Sequence, residues 1–159
     1  MTGVTDDPNH PGIKHGGPDK TPVPQNDTYL VLSAEERAKG FVRPVRRSYV
    51  HVGIAGPKYP LRDLSDEERK DFSNYGYVKF EAYPKSDSSV IGRYWKQEQL
   101  DGVGKGCGTV TTMGLELSET YARKPSFYGS TYCCRCQMHR LVGEDGEFIW
   151  DGTDIRVGT

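Results

Sequence analysis

Apolar and polar residues alternate along several short stretches of the chain, a pattern typical of half-buried β-strands. The clearest are "RRSYVHVGI" (residues 46–54) and "YGYVKFEAYP" (75–84), and "GTVTTM" (108–113) is rich in β-branched residues. Near the end of the chain, Asp145-Gly146 and Asp151-Gly152 are tight-turn dipeptides between short apolar runs. These patterns predict mainly antiparallel strands, with a β-meander at the C-terminal end.

Helices are predicted where a serine is followed three residues later by a glutamate, as in a capping box. This occurs in "LSAEERAKGF", with Ser33 and Glu36, and in "LSDEERKDFSNYG", with Ser65 and Glu68. A third helix is predicted in "GLELSETYARKP", where Pro125 ends the helical pattern. All three predicted helices are short.

Together these elements predict an α+β fold with a dominant antiparallel sheet and short helices. Residues 29–159 are predicted to form a single domain, with a Cys/His cluster at 107–139 and a zinc-knuckle-like C-terminal part. Residues 1–28 combine Pro, Gly, Asp and His with almost no apolar side chains. Such a segment has too little to bury to order itself, which predicts an extended arm that lies along a partner.

Charge and hydrophobicity exclude some classes of function. The 159 residues carry 21 basic and 22 acidic side chains, which argues against a dedicated polyanion binder. The longest apolar runs fall far short of the roughly 20 residues that cross a bilayer, and the first residues lack the apolar segment of a signal peptide. We therefore expect no membrane contact, no secretion by a signal peptide, and cysteines that act as ligands rather than disulfides.

The four cysteines point to a metal site. Cys133 and Cys136 form a C-x2-C pair, His139 follows three residues later, and Cys107 lies between two glycines in "GKGCGTVTTMG". A C-x2-C loop lets two thiolates converge on one ion. The predicted set is Cys107, Cys133, Cys136 and His139, a closed Cys3His shell for one structural zinc ion per chain.

Alternatives to this ligand set remain open. Cys134 could replace Cys133, and His51 in "YVHVG" competes with His139 for the fourth position. Buried thiols without metal and a disulfide from Cys107 are also consistent with the sequence. A redox C-x2-C is disfavoured because no thioredoxin-like strand-to-helix pattern surrounds the motif.

Other chemistry has less support. The deaminase pattern H-x-E with P-C-x2-C, the phosphate-binding loop and the common hydrolase motifs do not occur, so we expect a protein that is not an enzyme. A hydrolase that used Cys107 as nucleophile beside His51 has no local support. A basic run forms a candidate surface for nucleic acid or an acidic partner, with Arg43, Arg46, Arg47 and Tyr49 as candidate binding residues.

The C-terminal third of the chain resembles the C-terminal half of small, mostly uncharacterised proteins encoded by tailed bacteriophages and found in viral metagenomes. The resemblance rests on "GCGTVTTMG", "YCCRC-x2-H" and "EFIWDGT". It implies a phage-encoded protein located in the virion or the host cytoplasm. The expected function is a non-enzymatic virion component, a capsid or tail accessory whose arm contacts capsid or tail subunits. The alternative is an intracellular zinc-knuckle module that binds nucleic acid or a host protein.

Overall fold

A computed structural model describes residues 3–11, 13, 28–84 and 90–159. It divides the chain into two compact units. Unit 1 comprises Met1–Val52 with Gly106–Thr159, and unit 2 comprises Gly53–Lys105. The single domain predicted for residues 29–159 thus spans both units. Most of the predicted arm, residues 1–2, 12 and 14–27, lies outside the described residues, whereas Gly3–Thr5 forms a strand of unit 1.

Unit 1 contains three small sheets and two helices among its described residues. The strands are β1 (Gly3–Thr5), β2 (Thr28–Leu30), β3 (Ser48–His51), β7 (Val110–Thr112), β8 (Ser130–Cys133), β9 (Met138–Leu141) and β10 (Phe148–Trp150), and the helices are α1 (Ala34–Arg37) and α4 (Leu115–Arg123). β1 pairs with β2 in parallel, β3 lies between β10 and β7 in an antiparallel sheet, and β8 and β9 form a hairpin.

The core of unit 1 lies against the β10–β3–β7 sheet. It is built mainly from aromatic side chains, which bury large apolar areas. Its members are Tyr49, Met113, Tyr121, Cys133, Phe148, Trp150 and Val157. Cys133 is fully buried at the edge of this core, so the core side chains position one of the predicted metal ligands.

The described residues of unit 2, 53–84 and 90–105, form a three-stranded antiparallel sheet with two short helices. The elements are β4 (Leu61–Asp63), α2 (Asp66–Asp71), β5 (Tyr77–Ala82), β6 (Gly92–Lys96) and α3 (Gln97–Asp101), with β5 central in the sheet. Trp95 is fully buried, and its indole N–H donates to the buried carboxylate of Glu81 (3.0 Å). Glu81 also accepts the backbone N–H groups of Lys58 and Tyr59, so this carboxylate organises the interior of unit 2.

The predicted fold class is confirmed: an α+β protein with mostly antiparallel strands and short helices. Ser65 and Glu68 form the full capping box at the start of α2, and Ser33 accepts the Glu36 N–H at the start of α1. The predicted meander is wrong in one respect. β10 follows β9 along the chain but pairs with β3 rather than with β9. Across the predicted Asp151-Gly152 turn, however, Ile149 does form an antiparallel bridge with Arg156.

Candidate metal centre

Four ligand-type side chains of unit 1 converge on one point. They are His51, Cys107, Cys133 and Cys136, and their ligand atoms all lie within 4.8 Å of one another. Three of the four residues predicted as ligands therefore come together, and the fourth position is taken by the histidine that the sequence offered as a competitor. The four residues come from three separate segments of the chain.

Two of the separations within the group are close to those of ligands around one tetrahedral metal ion. Cys107 Sγ lies 3.5 Å from Cys133 Sγ, and Cys136 Sγ lies 3.4 Å from His51 Nδ1. Zinc bonds of about 2.3 Å to sulfur and about 2.0 Å to nitrogen place tetrahedral ligands about 3.8 Å (S to S) and about 3.5 Å (S to N) apart. These two separations are therefore within a few tenths of an ångström of the tetrahedral values, and no two ligand atoms of the group are more than 4.8 Å apart.

Backbone pairing brings His51 to the site. His51 is the last residue of β3, where Phe148 of β10 is its register partner, and its backbone N–H donates to Thr109 just before β7 (3.3 Å). The imidazole is buried and lies 5.0 Å from the Phe148 ring. The backbone of His51 is thus held by its two neighbours, and its ring places Nδ1 towards Cys136 Sγ and Nε2 towards Glu147.

Two glycines bring Cys107 against His51. A Cβ on Gly106 would lie 2.1 Å from the His51 carbonyl oxygen, so the backbones approach more closely than any side chain permits. Gly108 has a φ of +74°, and its N–H donates to the same carbonyl (2.8 Å). The predicted close approach of the backbone around Cys107 is therefore observed, and glycine is required at both positions for different reasons.

A tight turn between β8 and β9 places the other two cysteines. Cys133 ends β8, and Cys136 lies in the turn that leads into β9. The turn is closed by the Gln137 N–H, which donates to the Cys133 carbonyl (2.8 Å), and Gln137 has a positive φ of 56°. Both sulfur atoms consequently face the same point, as C-x2-C spacing requires for a shared ion.

His139 requires a correction of the predicted ligand set, because it lies outside the group. In the hairpin His139 pairs with Tyr132, and Cys133 pairs with Met138. Successive side chains of a strand point to opposite faces, so Cys133 and His139 face away from each other. His139 Nε2 instead contacts the hydroxyl of Tyr29 at 3.1 Å. In a strand over "QMHRL", His139 and its neighbour Met138 point to opposite faces, which would have separated His139 from Cys133. The sequence alone did not show that this run is a strand paired with the residues before Cys134.

Cys134 also lies outside the ligand group. Its side chain is exposed, its backbone N–H donates to the Thr111 hydroxyl (3.1 Å), and its thiol faces the carbonyl of Val110 (3.6 Å). The structure therefore places Cys133 rather than its neighbour in the converging group.

The thiols of the group affect one another's ionisation. Burial raises the pKa of the Cys107 thiol, but hydrogen-bonding contacts with Thr109, His51 and Cys133 outweigh this effect and lower the pKa to about 6. Burial, together with the neighbouring thiols of Cys133 and Cys107, raises the pKa of Cys136 to about 11. One thiol of the four-residue group therefore ionises readily, while ionisation of a second is opposed by burial and by the neighbouring thiols. A bound divalent cation would favour the thiolate form of all three cysteines.

The predicted binding surface at residues 43–49 needs correction at Tyr49. Tyr49 is buried in the core of unit 1, packs edge-on against Phe148 and Trp150, and donates its hydroxyl hydrogen to the Tyr132 carbonyl. It therefore cannot present a ring to a partner.

The three arginines of this predicted surface lie at or near the surface of unit 1. Arg43 and Arg47 are exposed and Arg46 is half-buried. Arg43 donates to the carbonyls of Val42 and Thr159, and Arg47 donates to that of Met113. These contacts use part of the hydrogen-bonding capacity of both guanidinium groups within the protein.

Comparison with protein-family models, with curated proteins and with solved structures finds no significant match. Within the described parts of the chain, none of the helices has the length and apolar content needed to cross a bilayer.

Proposed function

We propose that this chain is a non-enzymatic structural or interaction protein in which one zinc ion stabilises unit 1. The observation that carries the proposal is the convergence of three thiols and one imidazole within 4.8 Å. Four protein ligands complete the tetrahedral shell of zinc, whereas catalytic zinc sites keep one position for water or substrate. A closed shell of this kind contributes to folding rather than to a reaction.

The positions of the four ligands support a structural role. They link the end of β3, the glycine loop before β7 and the β8–β9 turn, three segments far apart in the sequence. His51 and Cys107 also flank unit 2 in the chain, since that unit runs from Gly53 to Lys105. A bound ion would therefore fix the two ends of unit 1 between which unit 2 is inserted.

Metal content tests the proposal. We expect the purified full chain to bind one zinc ion, and the cobalt-substituted protein to show the thiolate charge-transfer and tetrahedral ligand-field bands of a sulfur-rich site. Cys136→Ser and His51→Ala should lose the metal. The matched controls Cys134→Ser and His139→Ala should keep it, because both side chains lie outside the group. A full chain that binds no zinc, or controls that lose it as completely as the ligand variants, would refute the proposal.

For the biological role, we propose a virion component of a tailed bacteriophage, a capsid or tail accessory. The resemblance of the C-terminal third supports this, as does a Pro/Gly-rich N-terminal segment suited to lie along a partner. Mass spectrometry of purified virions of the encoding phage should then find the protein at many copies. Its absence from virions, together with salt-dependent binding to DNA or RNA, would instead support the intracellular nucleic-acid-binding module.

A further inference from the structure

The two ring nitrogens of His51 face different partners. Nδ1 lies 3.4 Å from Cys136 Sγ, and Nε2 lies 2.9 Å from Oε1 of Glu147. Glu147 is acidic and sits on the far side of the ring from the sulfur atoms, so it cannot share an ion with them. From this position Glu147 can influence a bound ion only by orienting the His51 ring.

The hydrogen bonds around the ring define which nitrogen carries the proton. The Cys107 backbone N–H donates to Nδ1 (3.3 Å), which also faces Cys136 Sγ, so Nδ1 acts as an acceptor and carries no proton. An ion bound at Nδ1 would take the place of this N–H, because the ring nitrogen has a single lone pair. A neutral imidazole has one N–H, so the proton belongs on Nε2, where it is donated to the Glu147 carboxylate. This is the tautomer that a metal ion bound at Nδ1 requires.

Glu147 is itself held firmly. Its N–H donates to the Leu141 carbonyl (2.9 Å), and its carbonyl accepts the N–H of Val52, the residue after His51 (2.9 Å). The next residue, Phe148, is the register partner of His51. The side chains of His51 and Glu147 are 5% and 21% exposed, so water competes little for this hydrogen bond.

We infer that Glu147 is a positioning residue of the metal centre: its carboxylate holds His51 as the Nε2–H tautomer and directs Nδ1 at the ion. The inference rests on the proposed zinc site. Carboxylates that accept the second N–H of a ligating histidine fix the orientation of the ring and increase its basicity, and their removal typically weakens metal binding by about 10- to 100-fold.

The first test is zinc affinity, measured on the full chain by competition with a chelating dye. Glu147→Ala should bind zinc about 10- to 100-fold more weakly than the natural chain. Glu147→Gln keeps an oxygen that can accept the Nε2–H, so its loss should be clearly smaller than that of Glu147→Ala. Glu144→Ala, three residues away and exposed, is the matched control and should leave the affinity unchanged.

The second test does not depend on zinc. Long-range nitrogen–proton NMR of His51 in the metal-free full chain should show the Nε2–H tautomer, and Glu147→Ala should shift the ring towards a mixture of tautomers. Affinity of Glu147→Ala equal to that of the natural chain, or an Nδ1–H tautomer of His51 in the natural chain, would overturn the inference. Failure of the natural chain to bind zinc would refute the proposed function, and the tautomer would still report on Glu147.

Discussion

Replacing Gly106 by alanine should disrupt the metal centre without removing any ligand. The added Cβ would lie 2.1 Å from the carbonyl oxygen and 2.4 Å from the carbonyl carbon of His51, both backbone atoms that cannot rotate away. Contacts below 3.0 Å are essentially never made by a Cβ, so the two segments must separate by about 0.9 Å, the difference between 3.0 and 2.1 Å. That movement carries Cys107 away from the other ligands.

The size of the effect follows from what the separation breaks. Overpacking of a close contact costs about 1–3 kcal/mol. The Gly108 N–H bond to the His51 carbonyl and the Cys107 N–H bond to Nδ1 lengthen as well, and each is worth about 0.5–1.5 kcal/mol. We expect Gly106→Ala to lower the free energy of unfolding of the metal-free chain by about 3 kcal/mol, and zinc affinity to fall at least about tenfold because one ligand is displaced.

Urea unfolding of the metal-free chain and chelator competition for zinc measure the two effects. Gly129→Ala is the matched control, because a Cβ there meets nothing within 4 Å and the backbone does not need a positive φ. If Gly106→Ala and Gly129→Ala behaved alike in both assays, the close approach of Cys107 to His51 would be refuted.

Three further predictions concern unit 2 and the metal. Glu81→Ala should destabilise unit 2 by about 3 kcal/mol, since the Trp95 indole and two backbone N–H groups lose their acceptor. The loss should appear as faster hydrogen exchange of the backbone amides in β5 and β6. Hydrogen bonds, above all from Arg62, lower the pKa of the Glu68 carboxyl in the folded chain. The ionised carboxylate therefore contributes its full stabilisation of the fold above the unfolded-state pKa of about 4.5, and this contribution is lost progressively as the pH falls below that value. Glu68→Gln should consequently speed hydrogen exchange in β4–β6 more at pH 7 than at pH 3. Zinc chelation should speed exchange in β3 and β8–β9 and leave β4–β6 protected, because the hydrogen bonds of those strands lie within unit 2.

Controls keep these three predictions specific. Glu98→Ala, an exposed acidic residue of the same unit, should have little effect beside Glu81→Ala. A difference between Glu68→Gln and the natural chain that is the same at both pH values would contradict the role assigned to the lowered pKa. Equal loss of protection in both units on chelation would show that the metal acts on more than unit 1.

Features set by neighbouring residues could be predicted from the sequence. The serine–glutamate spacing that caps α1 and α2 is local, and both helices begin after the predicted serines. The alternating runs at 46–54 and 75–84 contain β3 and β5, with strand ends inside the predicted ranges. The glycines around Cys107 were also interpretable, because only glycine allows such a close approach of two backbones.

Features set by distant pairing could not be predicted. The pairing of β10 with β3 joins residues almost a hundred positions apart, and no local pattern distinguishes it from a continued meander. Which histidine joins the cysteine group could not be predicted for the same reason. His139 lies close to Cys136 in the sequence but on the other face of its hairpin, whereas His51 comes within reach only through the pairing of β3 with its neighbours. The role inferred for Glu147 depends on that same pairing.

X-ray absorption at the zinc edge measures the identity and distance of the ligand atoms in the natural chain, and so examines the proposed site itself. We expect three sulfur atoms at about 2.3 Å and one imidazole nitrogen at about 2.0 Å. His139→Ala should leave this signal unchanged, while His51→Ala should abolish it or replace the nitrogen. A shell with fewer than three sulfurs, or an imidazole signal lost on substitution of His139 rather than His51, would contradict the proposed ligand set.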